Sequence, residues 1–153
     1  MAGKLKREIK QTRPFSSLQE EVVLSMMRTA DQLAVPMLDI LRQVNLSLSQ
    51  YNVLRILRGA GPDGLPCGEI TERMVRRDPD LTRLLDRLES RGLVTRSRGT
   101  SDRRVVVAAI APEGLKVLAS LDDAVESTVK KTLAHMPASR LTALCELLEE
   151  ARG

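Results

Sequence analysis

In residues 78–104 a helix-start signal, an amphipathic segment, a glycine stop and an arginine-tipped hairpin follow one another without a gap, and few folds accommodate that order. Asp78-Pro79-Asp80 offers a capping carboxylate, a proline suited to the first helical position and an acid for the first turn. A helix is predicted to begin there, with Asp78 as its cap. Leu81, Leu84, Leu85 and Leu88 recur at helical spacing, which turns them inward and leaves Thr82, Arg83, Asp86 and Arg87 on the wet face. Gly92 supplies a left-handed stop. Residues 93–96 and 104–109 read as two short strands, joined by the polar, arginine-rich segment 97–103.

Charge gathers in the same place. Residues 76–104 hold nine arginines against five acids, a balance of +4 that equals the net charge of the whole chain. The first thirteen residues carry five Lys or Arg against Glu8, a further +4, so the remainder is mildly acidic. A basic band on an acidic body suits a protein that neutralises phosphates, although a charge run alone also describes an ordinary solvated surface. One Tyr, one Phe and no Trp weigh against single-stranded nucleic acid, which needs aromatic stacking platforms; duplex DNA does not.

Other classes find little support. Cys67 and Cys145 lie far apart and His135 is the only histidine, so no metal and no cofactor are expected. There is no histidine paired with a nucleophile and no glycine-rich phosphate loop, so the chain is not expected to be an enzyme. No apolar run approaches transmembrane length, and the basic start is not followed by a signal-type apolar block. A cytoplasmic protein with reduced thiols and no membrane partner is expected.

The predicted fold is mainly α with a small β wing. A basic flexible arm (1–15) precedes an N-terminal dimerisation helix region (16–46), a winged helix-turn-helix DNA-binding domain (47–111) and C-terminal dimerisation helices (112–153). Ser16 or Ser17 caps a long helix striped by Leu18, Val22, Met26, Leu33, Leu41 and Val44, and Pro36 is expected to kink or break it. Ser47 caps the next helix, which buries Tyr51, Leu54, Ile56 and Leu57. Gly61-Pro62-Asp63-Gly64 makes a turn, and a short helix over 67–75 carries Ile70 and Met74 inward. Pro112 starts a helix to about 136, and Pro137 separates it from a last helix holding Leu141, Leu144, Leu147 and Leu148. These terminal stripes have no evident partner in a small core, which favours a homodimer over packing within one subunit.

Leu-Ser-Leu-Ser-Gln-Tyr (46–51), Leu-Thr-Arg-Leu-Leu-Asp-Arg-Leu-Glu-Ser-Arg-Gly-Leu-Val (81–94), Asp-Arg-Arg (102–104) and Pro-Glu-Gly (112–114) together resemble the MarR group of bacterial transcriptional regulators, over residues 46–118. The resemblance implies a dimer of roughly triangular shape, a helix matching 79–91 that enters the major groove, and Arg104 reaching the minor groove while Asp102 holds it. It also implies effector binding between the dimer helices and the winged-helix core, where Met26, Met27 and Tyr51 are candidates for contact with a small-molecule effector, although apolar residues at helical spacing are more often core. Two features depart from the family: the acids at 78 and 80, and Ala111 where a capping threonine is usual. The peroxide-sensing branch places its cysteine in the first long helix, whereas here no cysteine precedes Cys67, read as a buried structural thiol.

The candidate DNA-binding residues are Arg76, Arg77, Asp80, Thr82, Arg83, Arg87, Arg98, Asp102, Arg103 and Arg104. Arg83 and Arg87 are one turn apart and suit guanine or phosphate, unless Asp86 or Glu89 engages them along the helix. Asp80 either accepts from a cytosine amino group or tunes the local charge; Arg76 and Arg77 either meet phosphates or are merely solvated. The expected function is a sequence-specific regulator of transcription, a repressor, that binds double-stranded DNA as a homodimer on a pseudo-palindromic operator and responds to an effector. The alternative is a winged-helix interaction module whose arginines meet an acidic protein.

Overall fold

The computed structural model describes residues 3–153, which divide after Pro36 into two compact units. The first contains α1 (Lys4–Glu8) and the larger part of α2 (Leu18–Arg42). The stretch read as a flexible arm thus carries a short helix with Leu5 buried, and residues 1 and 2 lie outside the described residues. α1 closes on Lys10 in the left-handed region, where the Gln11 N–H reaches back to the Lys6 carbonyl at 3.0 Å. Of the two serines offered as caps for α2, Ser17 takes the role, its Oγ accepting the Glu20 N–H at 3.1 Å. The Glu20 carboxylate in turn accepts the N–H and O–H of Ser16, and those bonds hold its pKa below the usual carboxylate range.

Pro36 does not break α2. The helix passes through it as one run of 25 residues, because a proline removes only its own bond, here to the Gln32 carbonyl, while the flanking bonds remain.

In the second unit the end of α2 is followed by α3 (Leu48–Ala60), β1 (Leu65–Pro66), α4 (Cys67–Arg73), α5 (Leu81–Ser90), β2 (Val94–Arg98), β3 (Val106–Ile110), α6 (Pro112–Thr132) and α7 (Ala138–Arg152). Ser47 and Gln50 cap α3 reciprocally, each side chain bonding the other's backbone N–H. The strands form an antiparallel sheet in the order β1-β3-β2, with Val94 opposite Ile110, Arg98 opposite Val106 and Leu65 opposite Ala108. β1 is too short to show a period-2 pattern and was not expected; the wing strands are shifted by one or two residues from their predicted limits. Leu41, Val53, Leu54, Leu57, Ile70, Leu85, Leu88, Val94 and Leu118 are fully enclosed in an aliphatic core that also buries Tyr51 and Met74. Ile56 is only half-buried, its place inside being taken by Val53.

Two helix ends are built alike. After α5, Gly92 at φ 70° lets the Leu93 N–H reach the Leu88 carbonyl (3.0 Å) and its own N–H reach that of Glu89 (2.9 Å), the six-residue closure in which flanking apolar residues meet. After α2, Asn45 at φ 53° lets Leu46 reach Leu41 in the same way (3.0 Å). Arg91 then ties the two ends, its guanidinium donating to the Val44 (2.8 Å) and Asn45 (2.6 Å) carbonyls that such a closure leaves open. Elsewhere Arg58 of α3 pairs with Asp122 of α6 at 2.9 Å. Ala111 offers α6 no side-chain cap, as anticipated, and α7 has no buried residue at all.

The two turn glycines make different demands. At Gly92 an added Cβ meets nothing within 4 Å, so Gly92→Ala carries only left-handed strain, about 1 kcal/mol. At Gly64, also left-handed at φ 70°, a Cβ would lie 2.2 Å from the Ala108 carbonyl oxygen where β1 meets β3. Gly64→Ala is therefore expected to destabilise the protein clearly more than Gly92→Ala, which chemical denaturation of the two variants checks.

Candidate nucleic-acid interface

α5 begins two residues later than its sequence suggests. Asp80, not Asp78, is the N-cap: its Oδ1 accepts the Arg83 N–H at 3.0 Å, while Asp78 Oδ1 accepts the N–H of Asp80 itself at 3.0 Å. Pro79 consequently lies before the helix rather than at its first position. The reason is local: two carboxylates two residues apart compete for one role, and the upstream one is spent on fixing the turn that presents the other.

Leu84, Leu85 and Leu88 are buried, Leu81 is half-buried, and Thr82, Arg83, Asp86 and Arg87 are exposed, as the spacing predicts. The carboxylates of Asp86 and Glu89 are taken by a residue that was not singled out. Arg96 of β2 places Nη2 at 2.5 Å from Asp86 Oδ1 and 2.7 Å from Glu89 Oε2, and its backbone N–H also bonds Glu89 (3.2 Å). The hydrogen bonds from Arg96 hold the Glu89 carboxyl below its usual range, and the same bonds raise the Arg96 guanidinium. Both acids are thus engaged from the side by a single arginine, while their side chains stay 56% and 41% exposed. Arg83 instead pairs with Asp80, Nε to Oδ2 at 3.1 Å, and Arg87 has no carboxylate partner among the described residues.

The wing tip is organised by Asp102, through the backbone rather than through the Arg104 guanidinium. Asp102 Oδ1 accepts the Arg104 N–H at 2.9 Å and the Asp102 carbonyl accepts that of Val105 at 3.1 Å, while Gly99 N–H closes the turn on the Val105 carbonyl at 2.8 Å. Holding of the arginine by the aspartate, as the resemblance implied, is thus a matter of turn geometry. Arg98, Arg103 and Arg104 are exposed, and the only side-chain bond among them is a long one from Arg98 to the Arg103 carbonyl (3.4 Å). Arg76 and Arg77 are exposed in the turn before α5, next to Val75, which is 92% exposed and has its N–H fixed by Asn52 of α3.

A recess of about 230 Å³ at the start of α5 is lined by Ser47, Gln50, Asp78, Asp80, Arg83 and Arg87 among others, so its walls are polar. Of the effector candidates, Met26 is half-buried and Met27 is 64% exposed in the first unit, whereas Tyr51 belongs to the core of the second with Arg55 over its ring at 5.9 Å. Cys67 is half-buried, and burial pushes its thiol up against the opposing charge of Arg96. The described residues contain no group of side chains fit to hold a metal and no helix long and apolar enough to cross a membrane.

The MarR family model matches residues 46–106, from the cap of α3 to the second wing strand. A MarR transcription factor from Planctomyces limnophilus, known as a crystal structure, is 40% identical; the alignment covers 89% of this chain and 98% of that one, with a TM-score of 0.67. The HTH-type transcriptional repressor MdtR of Bacillus subtilis (strain 168) is 31% identical over 97 residues, 63% of this chain, and the match spans only 61% of that protein's length. The HTH-type transcriptional regulator FarR of Neisseria gonorrhoeae is 25% identical over 137 residues, covering 90% of this chain and 92% of that protein. With a relative 40% identical matched almost end to end, and the winged helix-turn-helix traced residue by residue above, the chain belongs to the MarR family of transcriptional regulators.

Proposed function

We propose that this protein is a transcriptional regulator that binds a pseudo-palindromic site in duplex DNA as a homodimer and represses by occupying it, with no chemistry of its own. The observation that carries this reading is the composition of the exposed face of α5 after its acids are accounted for. Arg96 engages Asp86 and Glu89 from the side, and Arg87 is left without an ion-pair partner among the described residues, beside Arg83 and Thr82. The exposed arginines of the wing and of the turn before α5 extend the basic surface to either side. A helix of this width fits the major groove, arginine forks match guanine edges and phosphates, and a narrow basic wing suits the neighbouring minor groove. That the relative MdtR is a repressor favours repression as the sign of regulation.

Dimerisation draws support from the terminal helices. α7 buries nothing within its own chain and exposes Leu144, Leu147 and Leu148, while α2 exposes Leu18, Val22, Val23 and Met27. Aliphatic stripes of this length are covered in solution, and a second copy with its own stripes is a self-complementary cover.

Genomic duplex fragments retained by the purified protein, then footprinted, test the central reading. A discrete footprint with two-fold related halves, two chains bound per site and steep salt dependence are expected. On that site Arg104→Ala should weaken binding by roughly 1 to 3 kcal/mol without moving the thermal midpoint. Binding that is indifferent to sequence, or retention of an acidic protein in place of DNA, would refute it. Deleting residues 138–153 is expected to convert the dimer to monomer or aggregate, as read by light scattering.

A further inference from the structure

We infer that Arg91 is a positioning residue that couples the closed end of α2 to the end of α5, so that opening the α2 end weakens duplex binding and bound duplex keeps that end closed. The inference rests on the duplex-binding reading above and adds a means by which it is regulated.

The end of α2 is built as a joint that can open by itself. Asn45 stands at φ 53°, a left-handed conformation that is costly for a residue with a Cβ. The closure it permits is one turn long: the Val44 N–H reaches the Leu41 carbonyl at 3.2 Å, Asn45 reaches Arg42 at 3.1 Å and Leu46 reaches Leu41 at 3.0 Å. A strained turn at a helix end opens at far lower cost than the whole protein unfolds. In the closed form the Val44 and Asn45 carbonyls face out of the turn, and among the described residues the only donor that either receives is Arg91.

Arg91 belongs to both ends at once. It is the C-cap of α5, immediately before Gly92 and Leu93, whose N–H groups close that helix on Glu89 and Leu88. Its guanidinium serves the other closure, with Nη1 2.6 Å from the Asn45 oxygen and Nη2 2.8 Å from that of Val44, 46 and 47 residues away in the chain. A planar fork that bonds two consecutive carbonyls fits one placement of the two ends and no other, and bonds from a charged donor are the stronger kind. Opening the α2 end removes both acceptors, and a shift of α5 breaks the same two bonds. By linkage, whatever each end does to the other is reciprocal. A charge count would assign Arg91 to phosphate with its neighbours in the basic band, yet its terminal nitrogens are engaged with backbone oxygens.

Hydrogen exchange on the intact protein tests the coupling, first without DNA. Asn45→Ala loads the left-handed turn, and is expected to speed exchange of the Gly92 and Leu93 amides about threefold when Arg91 is present and to leave them unchanged in the Arg91→Ala background. Arg91→Lys, which keeps the charge but lacks the fork, should behave as Arg91→Ala does, and it serves in its place if the alanine variant fails to fold. With a duplex the protein retains, exchange over 44–46 should slow about fivefold in wild type and stay unchanged in Arg91→Ala, while α5 is protected in both. Arg91→Ala should weaken duplex binding several-fold at an unchanged salt slope, whereas loss of a phosphate contact would lower the slope by about one. A cross-effect of Asn45→Ala that is missing in wild type or survives in both Arg91 variants overturns the inference, as does a lowered salt slope. A protein that retains no duplex defeats the duplex reading instead, and the free-protein comparison still decides the coupling.

Discussion

The burial of Leu84, Leu85 and Leu88 is the constraint on which the basic face depends. A ten-residue helix is marginal alone in water, and α5 persists because each of these leucines, removed from solvent, contributes about 1.5 to 3 kcal/mol. Once they point into the core, positions 82, 83, 86 and 87 have nowhere to go but outward. Arg96 then acts on what that orientation exposes. By pairing with both Asp86 and Glu89 it fastens the helix to the wing and keeps these two acids from pairing with Arg83 or Arg87. Arg91 fastens the opposite end of α5 to the carbonyls after α2. The helix is thus held along one side by leucines and at two further points by arginines that never reach the exposed face.

What was legible in the sequence is what depends on neighbours along the chain. Leucine spacing, the glycine stop at 92, the Ser47 cap and the proline start of α6 each specify local structure through contacts a few residues long, and each is where it was predicted. Choices between equivalent local candidates were not legible. Asp78 and Asp80 are both good caps, and only the geometry of the preceding turn decides for Asp80. Pro36 carries a break signal that the rest of a 25-residue helix overrides. The early basic residues read as solvated charge, yet they flank a Leu5 that finds burial.

Long-range pairing was the larger gap. Arg96 was counted only as one of nine arginines, because nothing local distinguishes it from Arg98, two residues along the same strand and on the same face in sequence terms. One of the two is tied to Asp86 and Glu89 and the other is exposed. The same applies to β1, whose two residues owe their strand conformation entirely to β3. Charge counting therefore overestimated how many of the arginines over 76–104 are available, while the acids at 78 and 80 fix and cap the start of α5.

On the proposed function, duplex DNA lies on the face formed by the turn before α5, α5 itself and the wing tip. Hydrogen exchange of the backbone amides, measured with and without a duplex the protein retains, tests it most directly. Protection is predicted over residues 76–87 and 98–104, with α6 unchanged. Protection that falls elsewhere, with the amides of α5 and the wing exchanging as in the free protein, would contradict it.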